Sequence, residues 1–268
     1  MSTVTPIITD LQLLTSLSLL LVSGAVSALF DLGLLRSLLW GAFRAFLQLT
    51  LIGYALGFLF SQERLLVVAA VVTVMTGIAT QAATSRVPSV QRFPHLLAFG
   101  SLWASTFLVG TIVLALVIRA DPWYTPRVAI PIFGMILGNA MTGISLSLER
   151  LFSSVREGSE TVEALLALGA TPWEAVQGRV RSAIGAGMTP TINNLMVVGL
   201  VSLPGMMTGQ ILGGADPLQA VRYQIVVMYM ISAAVAAGCL LLTGLGYRRL
   251  FTADGALRPD LRESLRNR

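Results

Sequence analysis

The chain contains no lysine at all: its 18 basic residues are all arginine. A Walker-A loop needs its lysine to reach the nucleotide phosphates, so no such ATP site can be built here, and any use of ATP has to come from a partner. There is one cysteine, Cys239, inside an apolar run, and one histidine, His95. An internal disulfide is therefore impossible, and the usual imidazole and thiolate metal cages cannot be assembled; His95 reads as an interfacial residue. Charge is scarce as well. Asp, Glu, Lys and Arg make up 12% of the 268 residues, against about a quarter in an ordinary soluble domain. Each of the 13 acidic residues, from Asp10 to Glu263, falls in a loop, a tail or the end of an apolar run. The intramembrane carboxylate that proton or sodium coupling usually needs is thus missing.

What is present is apolar. The hydrophobic fraction is 55% and the mean hydropathy +0.79, which excludes a soluble fold. A helix needs about 20 apolar residues to cross the hydrocarbon core, and seven segments approach that length, near 11–30, 41–60, 65–84, 95–118, 127–148, 188–212 and 222–246. The expected fold is all-α, a single membrane domain over 1–268 with about seven transmembrane helices. Breaks are marked at Asp31-Leu-Gly33, Ser61 to Arg64, Arg86 to Pro94, Asp121 to Pro126, the polar stretch Glu149 to Gly187, and Gly213 to Pro217. In the last, Asp216 at N-cap, Pro217 at N1 and Gln219 at N3 announce a helix start.

Positive charge is retained on the cytoplasmic side during insertion. With seven spans, one side holds fourteen arginines, Arg36, Arg44, Arg86, Arg92, Arg150, Arg156, Arg179, Arg181, Arg248, Arg249, Arg258, Arg262, Arg266 and Arg268. The other holds four, Arg64, Arg119, Arg127 and Arg222. The expectation is an N-terminus outside, a cytoplasmic C-terminal tail over 247–268, and a cytoplasmic loop over 149–187. The net charge of +5 is then membrane-flanking charge rather than a nucleic-acid surface. No basic residue precedes the first apolar segment, so that helix is expected to be retained rather than cleaved as a signal.

Within the long loop, Glu160 to Val176 reads as helix, stop, helix. Val162, Leu165, Leu166 and Leu168 gather near one face with Glu160 and Glu163 opposite, and Gly169 can end the helix in a left-handed conformation. Thr171 then caps a second helix, with Pro172 at N1 and Glu174 at N3 closing a capping box. Such a hairpin can rest on the membrane surface, or it can dock into a groove on a soluble partner.

Glu163-Ala164-Leu165, followed after three residues by Gly169, resembles the EAA loop of ABC-type permeases, though Leu stands for its second Ala, and Val180 to Ala183 replaces its later Ile-x-Leu-Pro. A fuller resemblance runs through Gly138-Asn-Ala-Met-Thr-Gly143, Glu163 to Ala175, Thr189-Pro-Thr-Ile-Asn193, Ser202 to Gln210, and Asp216 to Gln224. These runs are similar to the FetB-type permeases, associated with iron export in bacteria and related to plant aluminium-tolerance permeases. The resemblance implies the membrane subunit of an ABC transporter, in the bacterial inner membrane, paired with itself and with a cytosolic ATPase that carries the ATP and magnesium. It makes Glu160, Glu163, Ala164, Leu168, Gly169, Thr171, Pro172 and Trp173 the ATPase-coupling element, and it implies iron or another metal as cargo.

Three small-residue ladders stand where helices can approach closely in lipid: Gly53 and Gly57; Gly134 and Gly138; Gly205, Gly209 and Gly213. The last two are expected to bring the fifth and sixth spans together, within the chain or across a dimer. Pro204 beside Gly205 predicts a kink or unwinding in the sixth span. The polar and thioether residues of that neighbourhood, Asn139, Asn193, Asn194, Met206, Met207 and Gln210, are candidates for the translocation path together with Pro204, or for helix–helix bonding and core packing. An ion-coupled transporter or channel remains the alternative function; a membrane enzyme has no Ser/His/Asp, zinc or paired-carboxylate signature behind it.

Overall fold

The computed structural model describes residues 8–85 and 95–262. The break expected at Arg86 to Pro94 and the end of the tail, with Arg266 and Arg268, lie outside these residues. The described chain is helical: α1 (Asp10–Ser16) and α2 (Ser18–Leu29), α3 (Leu35–Phe60), α4 (Leu65–Ser85), α5 (His95–Ile112) running into a π-helical turn (Val113–Ile118), α6 (Pro126–Glu157), α7 (Ser159–Ala167), α8 (Pro172–Val197), α9 (Gly205–Leu212), α10 (Pro217–Gly246) ending in a 3₁₀ turn (Tyr247–Leu250), and α11 (Pro259–Arg262). Among them six stretches are long and apolar enough to cross a bilayer: Asp10–Leu29, Leu35–Phe60, Leu65–Ser85, His95–Ile118, Pro126–Glu157 and Pro217–Leu250.

The sixth expected span, 188–212, is not one helix. Its first half belongs to α8, which starts at the Thr171 cap and runs unbroken to Val197, and its second half is the short α9. Similarly, α6 continues past the expected end at 148 to Glu157, a length of about 48 Å at 1.5 Å per residue, so most of the polar stretch 149–187 is helix. The reason is local. Between Thr171 and Val197 no residue takes a positive φ, and the next to do so is Gly199 at +84°.

α6 is the central element, with α4, α5, α8 and α10 packed around it. Gly143 of α6 and Gly187 of α8 meet at one crossing, against Val235 and Cys239 of α10, while Gly238 of α10 faces Ile144 of α6 and Ser105 of α5. A Cβ added to Gly187 would lie 2.5 Å from the Gly143 carbonyl oxygen and 2.7 Å from Cys239 Sγ, and one on Gly143 would lie 2.7 Å from Val235 Cγ1. Ser147 Oγ on α6 donates to the Ala183 carbonyl of α8 (3.0 Å) at the same level, and Ser145 Oγ donates to the Ala83 carbonyl of α4 (3.1 Å). Small residues and short hydroxyls let these backbones touch where lipid supplies no hydrophobic pull between helices.

The ladder glycines have other surroundings. Gly134 faces Met75 Cε of α4 at 3.3 Å, Gly213 meets only its own helix, and a Cβ on Gly53, Gly57, Gly138, Gly205 or Gly209 would find nothing within 4 Å. Helices α1 to α3 form a thin periphery. α3 buries no residue, and touches the core near Leu59, while side chains such as Tyr54 (82% exposed) and Phe58 (68%) face outward. An apolar exterior of this extent suits lipid, not water.

Candidate functional site

At one end of the bundle the ends of α6, α7, α8 and α10 come together. α7 leans on the core through Val162 and Ser159, both buried, and leaves Glu160, Ala164 and Leu168 exposed, with Leu168 85% exposed. Glu163 is half-buried, on the inner flank of the exposed strip. The helix ends in a Schellman motif: the Ala170 N–H donates to the Leu165 carbonyl and the Gly169 N–H to that of Leu166, each at 3.0 Å. Gly169 sits at φ +93°, where only glycine is at ease.

Two residues on, Thr171 takes the extended N-cap conformation and the capping box closes. Glu174 N–H donates to Thr171 Oγ1 (3.3 Å), while Glu174 Oε2 accepts from the Thr171 N–H (2.8 Å) and hydroxyl (2.7 Å). These bonds to the charged form hold the Glu174 carboxyl below the usual carboxylate range. The cap is therefore complete above the ordinary pKa of Glu and is lost as pH falls through its lowered value.

Arg179 of α8 ties the unit together. Its Nε donates to the Ser154 carbonyl (3.0 Å) and its Nη2 to that of Gly158 (3.0 Å), so a cation satisfies carbonyls at the C-terminus of α6. Sequence reading counted Arg179 only as flanking charge; its reach across 21 to 25 positions has no local signature. We expect Arg179→Gln to destabilise by about 1–2 kcal/mol, a fall of about 2–8 °C in detergent-solubilised thermal unfolding. Arg179→Lys should recover only part of it, because an ammonium does not reproduce the guanidinium fork.

The C-terminal segment is not a loose tail as far as it is described. Leu250, Phe251, Leu257 and Leu261 are buried, Thr252 N–H donates to the Ala256 carbonyl (2.8 Å), and the turn at Gly255 lies over Pro172. The Trp173 and Tyr247 rings meet with centroids 5.0 Å apart. The start of α8 is thereby clamped to the end of α10. Arg150, Arg156, Arg179, Arg248, Arg249 and Arg258 belong to this end, whereas Arg222 lies at the other, beside Ile118.

Towards that other end the α8–α9 span is broken. α8 stops at Val197, the chain turns through Val198 to Pro204 with the Gly199 N–H donating to the Ser202 carbonyl (2.9 Å), and α9 begins after Pro204. The kink expected at Pro204 is thus a complete interruption. Beside it lies a cavity of about 500 Å³ whose lining includes Leu195, Pro204, Met207, Gln224, Met228 and Tyr229.

Of the expected path residues, Pro204 and Met207 line this cavity. Met206 and Gln210 share the short helix α9, Met206 packing against the core. Asn193 and Asn194 are exposed near the end of α8. Asn139 does not line the cavity, and its Nδ2 donates to the Met135 carbonyl of its own helix (2.9 Å). Gln224, missed from sequence, is 6% exposed; the available signal was an amide standing alone in the apolar run after Tyr223. Among the described residues no group of three or more His, Cys, Asp or Glu gathers as a metal site.

The chain is similar along most of its length to several known membrane proteins. It is 33% identical over 246 residues to the protein named "Probable iron export permease protein FetB" of Escherichia coli K12, covering 92% of this chain and 93% of that one. It is 40% identical over 228 residues to the UPF0014 membrane protein STAR2 of Oryza sativa subsp. japonica, covering 85% and 79%. With the protein ALUMINUM SENSITIVE 3 of Arabidopsis thaliana it shares 36% identity over 222 residues, covering 83% and 80%. No solved structure matches. Residues 10–251 match the family described as Uncharacterised protein family (UPF0014), and the protein is a polytopic membrane protein belonging to that family.

Proposed function

We propose that this chain is the membrane-spanning permease subunit of an ATP-driven ABC transporter, working as a pair of permeases with cytosolic ATPase subunits. The observation that carries the reading is the α7–α8 unit: a short helix, a glycine-dependent stop and a capped second helix, presenting Ala164, Leu168 and Trp173 outward from the arginine-rich end of the bundle. A partner gripping α7 moves α8 with it, because Arg179 and the Gly187 crossing fix α8 to α6 and the tail clamps its start to α10. The far end of α8 is the break beside the cavity, so a push at Leu168 is delivered to the place where the span is discontinuous.

The arginine split supports an α7 end in the cytoplasm and an N-terminus outside. The open faces of α3, with Gly53 and Gly57 uncovered, suit lipid or the second permease. The name carried by the Escherichia coli relative supports export of iron or another metal from the cell. ATP and magnesium belong to the ATPase, and the chain by itself is no enzyme. Purified alone it is expected to hydrolyse no ATP, and together with its ATPase to move metal across a proteoliposome membrane only when ATP is supplied. Sustained hydrolysis by the isolated chain, or metal flux driven by an ion gradient without any ATPase, would replace this reading with a different one.

A further inference from the structure

We propose that the seam between α5 and α10 binds one anionic phospholipid, its phosphate at Arg222 and an acyl chain laid along the groove that runs inward from there. Two rows of side chains build the groove. On α10, Arg222, Val226, Met230 and Ala233 follow one another down one face, and on α5 and its π-helical turn Val109, Val113 and Val117 run antiparallel to them. A crevice of about 180 Å³ at Ile118 and Arg222 leads into a groove of about 320 Å³ that reaches Ala233, and Val117 and Val226 line both. Val113 and Met230 are buried and form the floor, while Val117 and Tyr229 stand at the open rim, 52% and 67% exposed. The π-helical turn Val113–Ile118 takes more residues to go round than an α turn. It keeps Val117 in line with Val113 and Val109 instead of letting the row drift round the helix.

The two ends of the groove differ in chemistry. Its mouth holds Arg222, Gln219 and Tyr223, each with a side-chain donor. Among the described residues no carboxylate lines the mouth, and the Arg222 guanidinium has neither a hydrogen bond nor an ion pair. Asp216, at the start of the same helix, is engaged as its cap, accepting from the Gln219 N–H at 2.9 Å. Beyond Val226 the walls are apolar except for the Tyr229 hydroxyl. Charge complementarity names the head of the ligand, since a guanidinium fork matches a phosphate and pairs with it strongly. Dimensions name the tail. Arg222 lies about 8 Å from the helix end at Pro217, at headgroup depth, and the loop after the π turn carries Trp123 and Tyr124, residues enriched at that level. From Arg222 to Ala233 α10 rises about 16 Å, the depth of one leaflet of a hydrocarbon core about 30 Å thick. The site lies at the opposite end of the bundle from α7 and does not depend on the permease reading.

The test is native mass spectrometry of the purified chain, delipidated in detergent and then offered phosphatidylglycerol or phosphatidylcholine at equal concentration, with thermal unfolding in parallel. One phosphatidylglycerol per chain is expected to bind about tenfold more tightly than phosphatidylcholine and to raise the Tm. Arg222→Gln should abolish that preference. Ala233→Trp, at an exposed position at the inner end of the groove, should weaken binding of both lipids by taking the place of the chain. Both variants should keep the parental Tm without added lipid. Arg127→Gln removes the same charge from an exposed position of α6 outside the groove and should bind lipid as the parent does. Glycerol phosphate, a headgroup without chains, should neither bind nor raise the Tm. Equal retention of the two lipids by the parent overturns the site, as does parental binding in either Arg222→Gln or Ala233→Trp, or a Tm raised as much by glycerol phosphate as by the lipid. A dimer lost in Ala233→Trp with lipid binding unchanged overturns it too, and gives the groove to a second copy of the chain.

Discussion

Gly169→Val is expected to abolish ATPase capture and ATP-driven transport, by at least tenfold each, while expression and membrane insertion stay at the parental level. Gly169 occupies φ +93°, and a β-branched residue there is strained by about 1–3 kcal/mol. The α7 terminus relieves that strain by giving up the two Schellman bonds from Gly169 and Ala170, which changes the direction in which Leu168 and Trp173 are presented. No span is altered. Leu168→Arg is the companion variant: it leaves the turn intact and places a charge at the most outward residue of the unit, where an apolar contact is expected. It is a sharper probe than reversal of Glu163, whose half-buried side chain would couple a docking defect to a packing one. If both variants capture the ATPase and transport at the parental rate, α7 is not the docking element.

Gly187→Ala should produce the largest loss of stability from a single added carbon. The new Cβ would meet the Gly143 carbonyl oxygen at 2.5 Å and Cys239 Sγ at 2.7 Å, and would run into Ser147 Oγ as well. A side chain can rotate away, but the Gly143 carbonyl is backbone in the middle of α6, so α6 and α8 have to part. Overpacking of this kind costs about 1–3 kcal/mol, and separation also weakens the Ser147 to Ala183 hydrogen bond. A Tm lower by about 5 °C or more follows. Gly185→Ala, two residues away on the same helix, meets nothing within 4 Å and should hold or raise the Tm through helix propensity. Equal behaviour of the two variants would show that the three-helix crossing is looser than described.

What could be read from the sequence was what short-range chemistry decides. Apolar run length announced six of the spans, the first of them divided at Leu17 into α1 and α2. Gly169, Thr171 with Glu174, and Asp216 announced their caps, because a cap involves residues within four positions of one another. The ends of α6 and α8 were harder. A polar run after an apolar one reads as a loop, yet within 149–157 and 172–187 nothing breaks a helix, and Arg179 and the tail supply the partners that keep α6 and α8 helical beyond the apolar zone. Glycine spacing likewise names candidate contact faces without naming the partner helix. Within this chain the close approach falls at Gly143, Gly187 and Gly238, while Gly138, Gly205 and Gly209 stand open. Gln224 and the buried leucines of the tail acquire their meaning only from residues far away in the chain, which no periodicity reports.

The central claim is that an ATPase drives this chain through α7. A photo-crosslinking residue placed at Leu168, in membranes that also contain the cognate ATPase, tests it most directly, with the same residue at Leu200 on the α8–α9 break as the comparison site; Leu200 is 91% exposed and at the opposite end of α8. The account predicts a nucleotide-sensitive crosslink to the ATPase from position 168 and none from position 200. No crosslink from 168 in a complex that hydrolyses ATP, or equal crosslinking from both positions, would contradict it.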